Sequence, residues 1–537
     1  MCVKRWDMTG RPDTLTTDVL VIGGGPAATW AAISATEAGA RVILVDKGYC
    51  GTSGATAAGG NNLWLIPPGP RREESVRDRE KAAGRITDAD WMFRVLATAW
   101  DRVDQLAAWG YPFPAGSDGR PMRSSLQGPE YMRRMRRKVH RSGVRILDHH
   151  PALELTVDDD GVVDGATGIA RQEGGRPWRV TAGAVVLATG GTAFLSGTFG
   201  TNVDTGDGLL MAAEHGAALS GMEFSTAYAL APEWGTHTKG RMLQWGSFFD
   251  EHGQPLPTQL GLGGRQDAQA QLAHGRRVFA RIDRAPAHIH QTMRDAQPNY
   301  FLPLDKAGID PFTTAYPVRM VHEGSVRGTG GLRLTGPDCA TTVPGLYAAG
   351  DAATRELITG SRSGGGSHNG SWAIASGTFA GRGAAEFSRR RTTRAARAGA
   401  ESPLNVRTRN GAPTVDEVVR AAQQHVLPPL RSYLKTAERL AESAAALETV
   451  WRDIADGLAP VAPRDTYKVR QAVALVAAAR WVTAASLARA ETRGLHRRED
   501  IPDTDARFDH RILVGGLDEV WTAPDPVAPR LVSEAVA

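Results

Sequence analysis

Nothing limits what this chain can fold into more than the stretch DVLVIGGGPAATWAAISATEAGARVILVDKG, which runs from Asp18 to Gly48. An apolar run passes into a glycine cluster, then into an Ala-rich stretch closed by Gly39, then into a second apolar run ending at Asp46. That order predicts a strand, a tight turn, a helix and a second strand parallel to the first. Gly23, Gly25 and Ala28 fill the G-x-G-x-x-G/A spacing, and the acidic Asp46 follows about 20 residues on. Gly23 permits the turn, Gly25 lets the backbone approach a pyrophosphate, and Ala28 lets helix and strand pack closely. Pro26 and Ala27 open a helix whose N-terminus favours an anion, and Asp46, with Lys47 beside it, is placed to accept from ribose hydroxyls. The unit fits an adenosine dinucleotide.

Two more apolar runs end in glycine turns: AVVLATGG at Ala184–Gly191, which presents Ala188, Thr189 and Gly190, and GLYAAGDAA at Gly345–Ala353, which presents Gly350 and Asp351. Both read as strands whose ends face the same ligand. Between them, TGDGLLMAAEHGA at Thr205–Ala217 reads as a turn entering a helix, with Asp207 at its start. Residues 229–321 are richer in Trp, His, Gln and Pro and lack clear periodicity, which suggests an inserted domain. The Arg-rich segment 389–412 reads as an exposed tether, and apolar residues at helical spacing over 414–496 predict a small helical bundle. No internal repeat is apparent.

The chain has 537 residues, 42% hydrophobic and 23% charged, the mix of an ordinary globular protein with about three to four domains. A net charge of +5 is too small to argue for nucleic acid. Cys2, Cys50 and Cys339 are isolated, so neither a disulfide framework nor a cluster or metal motif is expected. The N-terminal MCVKRWDMTGRPDT has no apolar core, and no run of about 18 apolar residues is found, so a cytoplasmic chain without a membrane span is expected.

Five separated segments together resemble the flavoprotein family of succinate dehydrogenase, fumarate reductase, L-aspartate oxidase and adenylylsulfate reductase. They are DVLVIGGGPAA, SGATAAGGNN at Ser53–Asn62, the TGDG of Thr205–Gly208, PGLYAAGDAATRELITGSRSGGGSHNGS from Pro344, and RAETRGLHRREDIP at Arg489–Pro502. The resemblance implies an α/β, Rossmann-like FAD-binding domain in two segments (14–228 and 322–388), a capping α+β domain between them (229–321), a linker (389–412) and a C-terminal helical domain with its tail (413–537). It also implies that Ser53, Gly54, Ala55, Thr56, Gly59 and Gly60 pass beside the isoalloxazine and pyrophosphate, that Asp351 binds the ribityl chain, and that Ser367 and His368 meet the flavin's pyrimidine edge. Some members attach flavin to a histidine; the corresponding stretch here is SGAT, so a dissociable FAD is expected.

By the same resemblance Arg362 falls on the substrate-carboxylate arginine, where a guanidinium can hold an anion bidentately. The other substrate positions depart from the pattern. Tyr228 replaces one histidine, Met242 the proton-shuttling arginine with Arg241 adjacent, and Val326 a second histidine with Arg327 adjacent and His322 earlier. These replacements argue against succinate, fumarate or aspartate and for an uncharged or partly aromatic substrate. Tyr228 and His322 are the favoured acid/base pair, with His237, Arg241, Arg319 and Arg327 as further candidates.

The expected activity is hydride transfer at flavin N5. Reduced flavin would pass electrons to oxygen, a diffusible acceptor or a separate ferredoxin-like iron–sulfur partner. A second reading is sulfur- or nitrogen-centred redox chemistry of the adenylylsulfate reductase kind, motivated by SGAT and GGGSH. A third is a flavin-binding scaffold without chemistry, and a homo-oligomer is compatible with all of them.

Overall fold

The computed structural model describes residues 13–116, 118–238, 241–257, 262–363, 367–391 and 407–532. At its centre the strand Asp13–Ile22 lies parallel to Val42–Val45 on one side and to Arg176–Leu187 on the other. The sheet continues outward to Arg145–Leu147 at one edge and through Val163–Ala170 to Ala152–Val157 at the other. All four residues of Val42–Val45 are buried, as expected of a parallel strand covered on both faces.

The long strand Arg176–Leu187 has two partners on one side. Its first half pairs antiparallel with Val163–Ala170, and its last residues pair parallel with Leu346–Ala348. The register puts Ile22 opposite both Val45 and Leu187, and Leu187 opposite Ala348. The glycine turns that follow these strands therefore open at one level, at the carboxyl end of the sheet, where ligands bind in such folds. The helix Pro26–Glu37 covers one face and packs on the long helix Ser367–Arg390.

The insertion builds a four-stranded antiparallel sheet of Ala227–Pro232, Tyr316–Glu323, Val278–Arg281 and Ser247–Phe249. It has a hydrophobic cluster of its own that includes Leu230, Phe248, Tyr300 and Val318. Met242 belongs to this cluster at 5% exposure, so the residue at the expected arginine position serves packing. Tyr228 and His322, expected at the margins of the nucleotide domain, are cross-strand partners within the cap sheet.

Three helices, Val415–Val426, Ala437–Asp456 and Thr466–Ala488, form the C-terminal bundle. Thr414 and Glu417 cap the first reciprocally, which satisfies two otherwise unpaired N–H groups. Segment Pro463–Ala488 is long and apolar enough to cross a bilayer, but 78% of its most apolar window is buried inside the protein. Its Arg470 and Arg480 pair with Glu214 and Glu448, which suits a core helix. The tail that follows the bundle contains two strands: Ile512–Gly515 pairs with Trp521–Pro524 and with Leu219–Ser220 of the nucleotide domain. The expected linker begins inside the helix that ends at Arg390, and residues 392–406 lie outside the described residues.

Candidate active site

The strand ends border a cavity of about 120 Å³ that opens toward solvent. Its walls include Gly23, Gly25, Pro26 and Ala27 from the first turn, Asp46 and Lys47 from the second strand end, and Ser53, Gly54, Ala55 and Thr56. Ala188, Thr189, Gly190, Asp207, Gly350 and Asp351, also expected there, line it as well. Gly23 has φ +124°, and a Cβ there would stand 2.2 Å from the Ala188 carbonyl oxygen, so two strand ends meet only because it is glycine. A Cβ at Gly25 would meet nothing within 4 Å, which leaves the first turn open to a bulky anion. Ala28 is fully buried beneath the helix and does not line the cavity.

The polar groups suit a dinucleotide. Asp46 accepts from Gly48 N–H at 3.0 Å and Ser53 Oγ at 3.2 Å, which aims its buried carboxylate into the cavity. Burial pushes its pKa up, opposed by those two hydrogen bonds. Lys47 Nζ donates to Thr205 Oγ1 at 2.7 Å and Asp207 Oδ2 at 2.6 Å, tying the second strand to the TGDG turn. Asp351 is ion-paired with the buried Arg355, which also donates to the Ser325 carbonyl at 2.6 Å. Buried Oδ atoms of Asp204 and Asn369 have no hydrogen-bond partner among the described residues, and both side chains line the cavity. FAD fits this donor and acceptor set, with hydroxyls for Asp46 and Asp351 and an open N-terminal turn for its pyrophosphate.

Several expected contacts fall one shell away. Gly59 and Gly60 do not line the cavity; the Gly59 carbonyl accepts from Asn61 Nδ2 at 2.8 Å, and Asn61 is the lining residue. Ser367 and His368 open the long helix, with the His368 ring stacked on Trp64 at 4.4 Å, and Asn369 and Gly370 line the cavity in their place. Arg362 is exposed, lines neither this cavity nor the one beside it, and has a backbone carbonyl that accepts from Arg79 at 2.8 Å. The adjoining Gly364, Gly365 and Gly366 lie outside the described residues.

A second, much smaller cavity of about 10 Å³ opens beside the first and shares Ala55, Val326 and Arg327 with it. Thr198, Phe199 and Thr201 come from the nucleotide domain, while His237, Thr238 and Glu323 come from the cap. Arg327 Nε stands 3.4 Å from Glu323, and Thr238 Oγ1 donates to Glu323 Oε1 at 2.5 Å. Arg265 is nearby; burial lowers its pKa and the Glu323 carboxylate opposes that. The His237 ring meets Phe199 at 5.3 Å and Tyr300 at 6.2 Å. Cap and nucleotide domain thus enclose a chamber in which one arginine already has a resident carboxylate.

The favoured acid/base pair stands outside both cavities. Tyr228 donates its hydroxyl to the Leu427 carbonyl at 2.8 Å, which docks the cap on the helical bundle. His322 is 3% exposed, edge-on to Tyr228 at 4.8 Å and to Phe194 at 5.5 Å, and burial pushes its pKa down to about 3. Its carbonyl, in contrast, accepts from Thr198 Oγ1 at 2.8 Å and so steadies a chamber wall. Arg319 donates to the Gly235 carbonyl at 3.0 Å. The side chain of Arg241 lies outside the described residues. Glu323, Thr238 and Thr198 gave no signal in sequence, because they join only when the cap sheet pairs and folds over the strand ends.

A cradle that grips a dinucleotide tail, with a closed polar chamber at its side, is what a flavin-dependent oxidoreductase needs to bring a ring and a substrate face to face. Residues 18–234 match the FAD binding domain family, and residues 429–521 match the fumarate reductase flavoprotein C-terminal family. The chain thus carries an FAD binding domain and a fumarate reductase flavoprotein C-terminal domain, and it is similar over nearly its whole length to L-aspartate oxidase and fumarate reductase flavoproteins. It is 28% identical to an L-aspartate oxidase of Streptomyces coelicolor over 96% of this chain and 95% of that one. It is 26% identical to a fumarate reductase flavoprotein subunit of Mycobacterium tuberculosis over 91% of this chain and 92% of that one. In fold it is similar to Escherichia coli quinol fumarate reductase, at TM-score 0.80 and 20% identity over 97% of this chain and 98% of that one. Adenylylsulfate reductase from Archaeoglobus fulgidus gives TM-score 0.77 and 18% identity over 98% of each chain. The chain is an FAD-dependent oxidoreductase.

Proposed function

We propose that the chain moves a hydride between FAD and a small organic substrate that carries at most one anionic group, bound in the chamber between cap and cofactor cavity. The observation that carries this reading is the pairing of Arg327 with Glu323 inside that chamber. A dicarboxylate needs uncompensated cations at both ends, because burying two anions beside a third is costly. Among the described lining residues Arg327 is the arginine and it already pairs with Glu323, while Met242 and Val326 stand where further polar groups were expected. A neutral or monoanionic molecule can share Arg327 and offer a donor to Glu323 or Thr198.

FAD, held without a covalent link since SGAT supplies no histidine, contributes the hydride acceptor or donor when bound. The chain's own residues do the rest. Arg327 and the threonines orient the substrate, Phe199 and Val326 shield it from water, and His237 takes the proton role first considered for His322, because it is the histidine that lines the chamber. Electrons leave to oxygen, a diffusible acceptor or a separate protein.

The test is anaerobic bleaching of the purified holoenzyme's flavin spectrum. Succinate and L-aspartate are expected to leave the spectrum unchanged, and Glu323→Gln, which unmasks Arg327, is expected to gain a flavin difference spectrum with succinate or fumarate. Bleaching of the wild-type flavin by either acid would overturn the reading.

A further inference from the structure

Asp204 lines the cofactor cavity just ahead of the TGDG turn. Its backbone is pinned on both sides: its N–H donates to the Thr201 carbonyl at 2.9 Å, and its carbonyl accepts from Ala193 N–H at 2.9 Å. The side chain is thereby fixed toward the cofactor cavity, which it lines at 5% exposure. Gly190 makes room for it, since a Cβ there would stand 2.3 Å from Asp204 Oδ1. The other oxygen, Oδ2, is buried and meets no donor among the described residues.

The charges around it make ionisation costly. Asp351 faces it from the turn Gly350–Ala352, Asp207 from the head of its helix, and Asp46 from the second strand end. Lys47 is the cation among these neighbours, and its ammonium is already engaged by Thr205 and Asp207. Arg355 and Arg327 act on Asp351. Burial first, and then the Asp351 carboxylate, push the Asp204 acid well above the usual carboxylate range. A buried carboxylate with no donor and three acidic neighbours is far less stable than the neutral acid. The neutral acid has an O–H to place, and among the described residues Asp204 Oδ2 has no hydrogen-bond partner.

We propose that Asp204 enters the FAD site as a carboxylic acid and donates a hydrogen bond to the cofactor. FAD supplies what the cavity lacks there, electron-rich oxygens and ring nitrogens, and a neutral donor adds no charge beside an anionic pyrophosphate. The donor also explains why a fourth acidic residue is tolerated in a cavity built for an anion. This inference concerns cofactor binding and is independent of the substrate.

The experiment compares FAD dissociation constants, by flavin fluorescence on reconstituting apoprotein, for wild type, Asp204→Asn and Asp204→Val. Asn keeps a donor, so its affinity is expected within about threefold of wild type, whereas Val is expected to bind about tenfold more weakly. Infrared difference spectra are expected to show a protonated-carboxyl stretch at neutral pH that is absent in Asp204→Asn and moves on adding FAD. Equal losses in Asn and Val would mean that a carboxylate accepts from FAD and would overturn the proposal. So would wild-type affinity in Val, or absence of the infrared band. If Val does not fold, the Asn constant and the infrared band decide.

Discussion

A histidine in water titrates near neutrality, but the ring of His322 is enclosed by Phe194 and Tyr228, with the Lys435 ammonium adding to the cost of a charge there. Its pKa is lowered to about 3, so between that value and about 6.5 the unfolded chain binds a proton that the folded chain refuses. Stability conferred by the neutral ring is therefore full above about pH 6.5 and falls as pH drops, by about 2 kcal/mol at pH 5. His322→Phe keeps the edge-on ring contacts and removes the titration. Urea unfolding at pH 7 and pH 5 is expected to show an acid loss about 2 kcal/mol smaller in the variant, with flavin reduction unchanged; equal acid sensitivity would refute it. The family resemblance made His322 a candidate, and the structure places its ring between Phe194 and Tyr228, outside both cavities. Asp46, Asp207 and Asp351 were legible because each sits at a fixed offset from a glycine turn, whereas Glu323 has meaning only beside Arg327 and Thr238.

Between elements, the crossing of the helix Pro26–Glu37 with Ser367–Arg390 sets where the first turn of the cofactor cavity lies. Gly377 and Gly381 share one face of the long helix, being four residues apart. A Cβ on Gly377 would stand 2.4 Å from the Ala27 carbonyl oxygen, and one on Gly381 would stand 2.2 Å from that of Ala31. Alanine at position 381 gains about 1 kcal/mol of helix propensity but must push a backbone carbonyl away, an overpacking that costs about 1–3 kcal/mol. The contact is with backbone rather than a flexible side chain, so the clash decides the sign. Gly381→Ala is expected to lower stability in urea and to weaken FAD retention, because Ala27 lines the cavity; a stabilised variant would show that the helices can part freely. The strand, turn and helix of this layer were readable from periodicity and glycine spacing. The strands Ile512–Gly515 and Trp521–Pro524 were not, since they are short and join a larger sheet only through Ile512–Gly515, which reaches some 290 residues back to the two-residue strand Leu219–Ser220.

At the scale of the whole molecule, the segment RAETRGLHRREDIP joins parts that are far apart in sequence. Arg489 pairs with Glu223 at 2.8 Å and with Glu491 at 3.0 Å, and all three side chains are fully buried. Arg493 adds a second bond to Glu491 and one to the Gly84 carbonyl, while Lys435 Nζ reaches the Glu223 carbonyl at 3.1 Å and Ser486 Oγ at 3.1 Å. Nucleotide domain, bundle and tail thus meet in one ionic cluster that a short motif announces but whose partners sequence does not name. Arg489→Met leaves Glu223 and Glu491 short of a buried cation, a loss expected to cost about 3–5 kcal/mol in urea unfolding. Adding Glu223→Gln is expected to recover part of it, since the double variant no longer buries that uncompensated charge. Nearby Glu356 has its acid pushed up to about 8 by burial and by the Glu223 carboxylate. Arg489 opposes that rise, so without it the folded chain holds the Glu356 proton more tightly still, and the single variant gains stability relative to wild type as pH falls through about 8 toward 6. A deficit that stays constant over that range would mean that water, rather than a proton, relieves the stranded carboxylates.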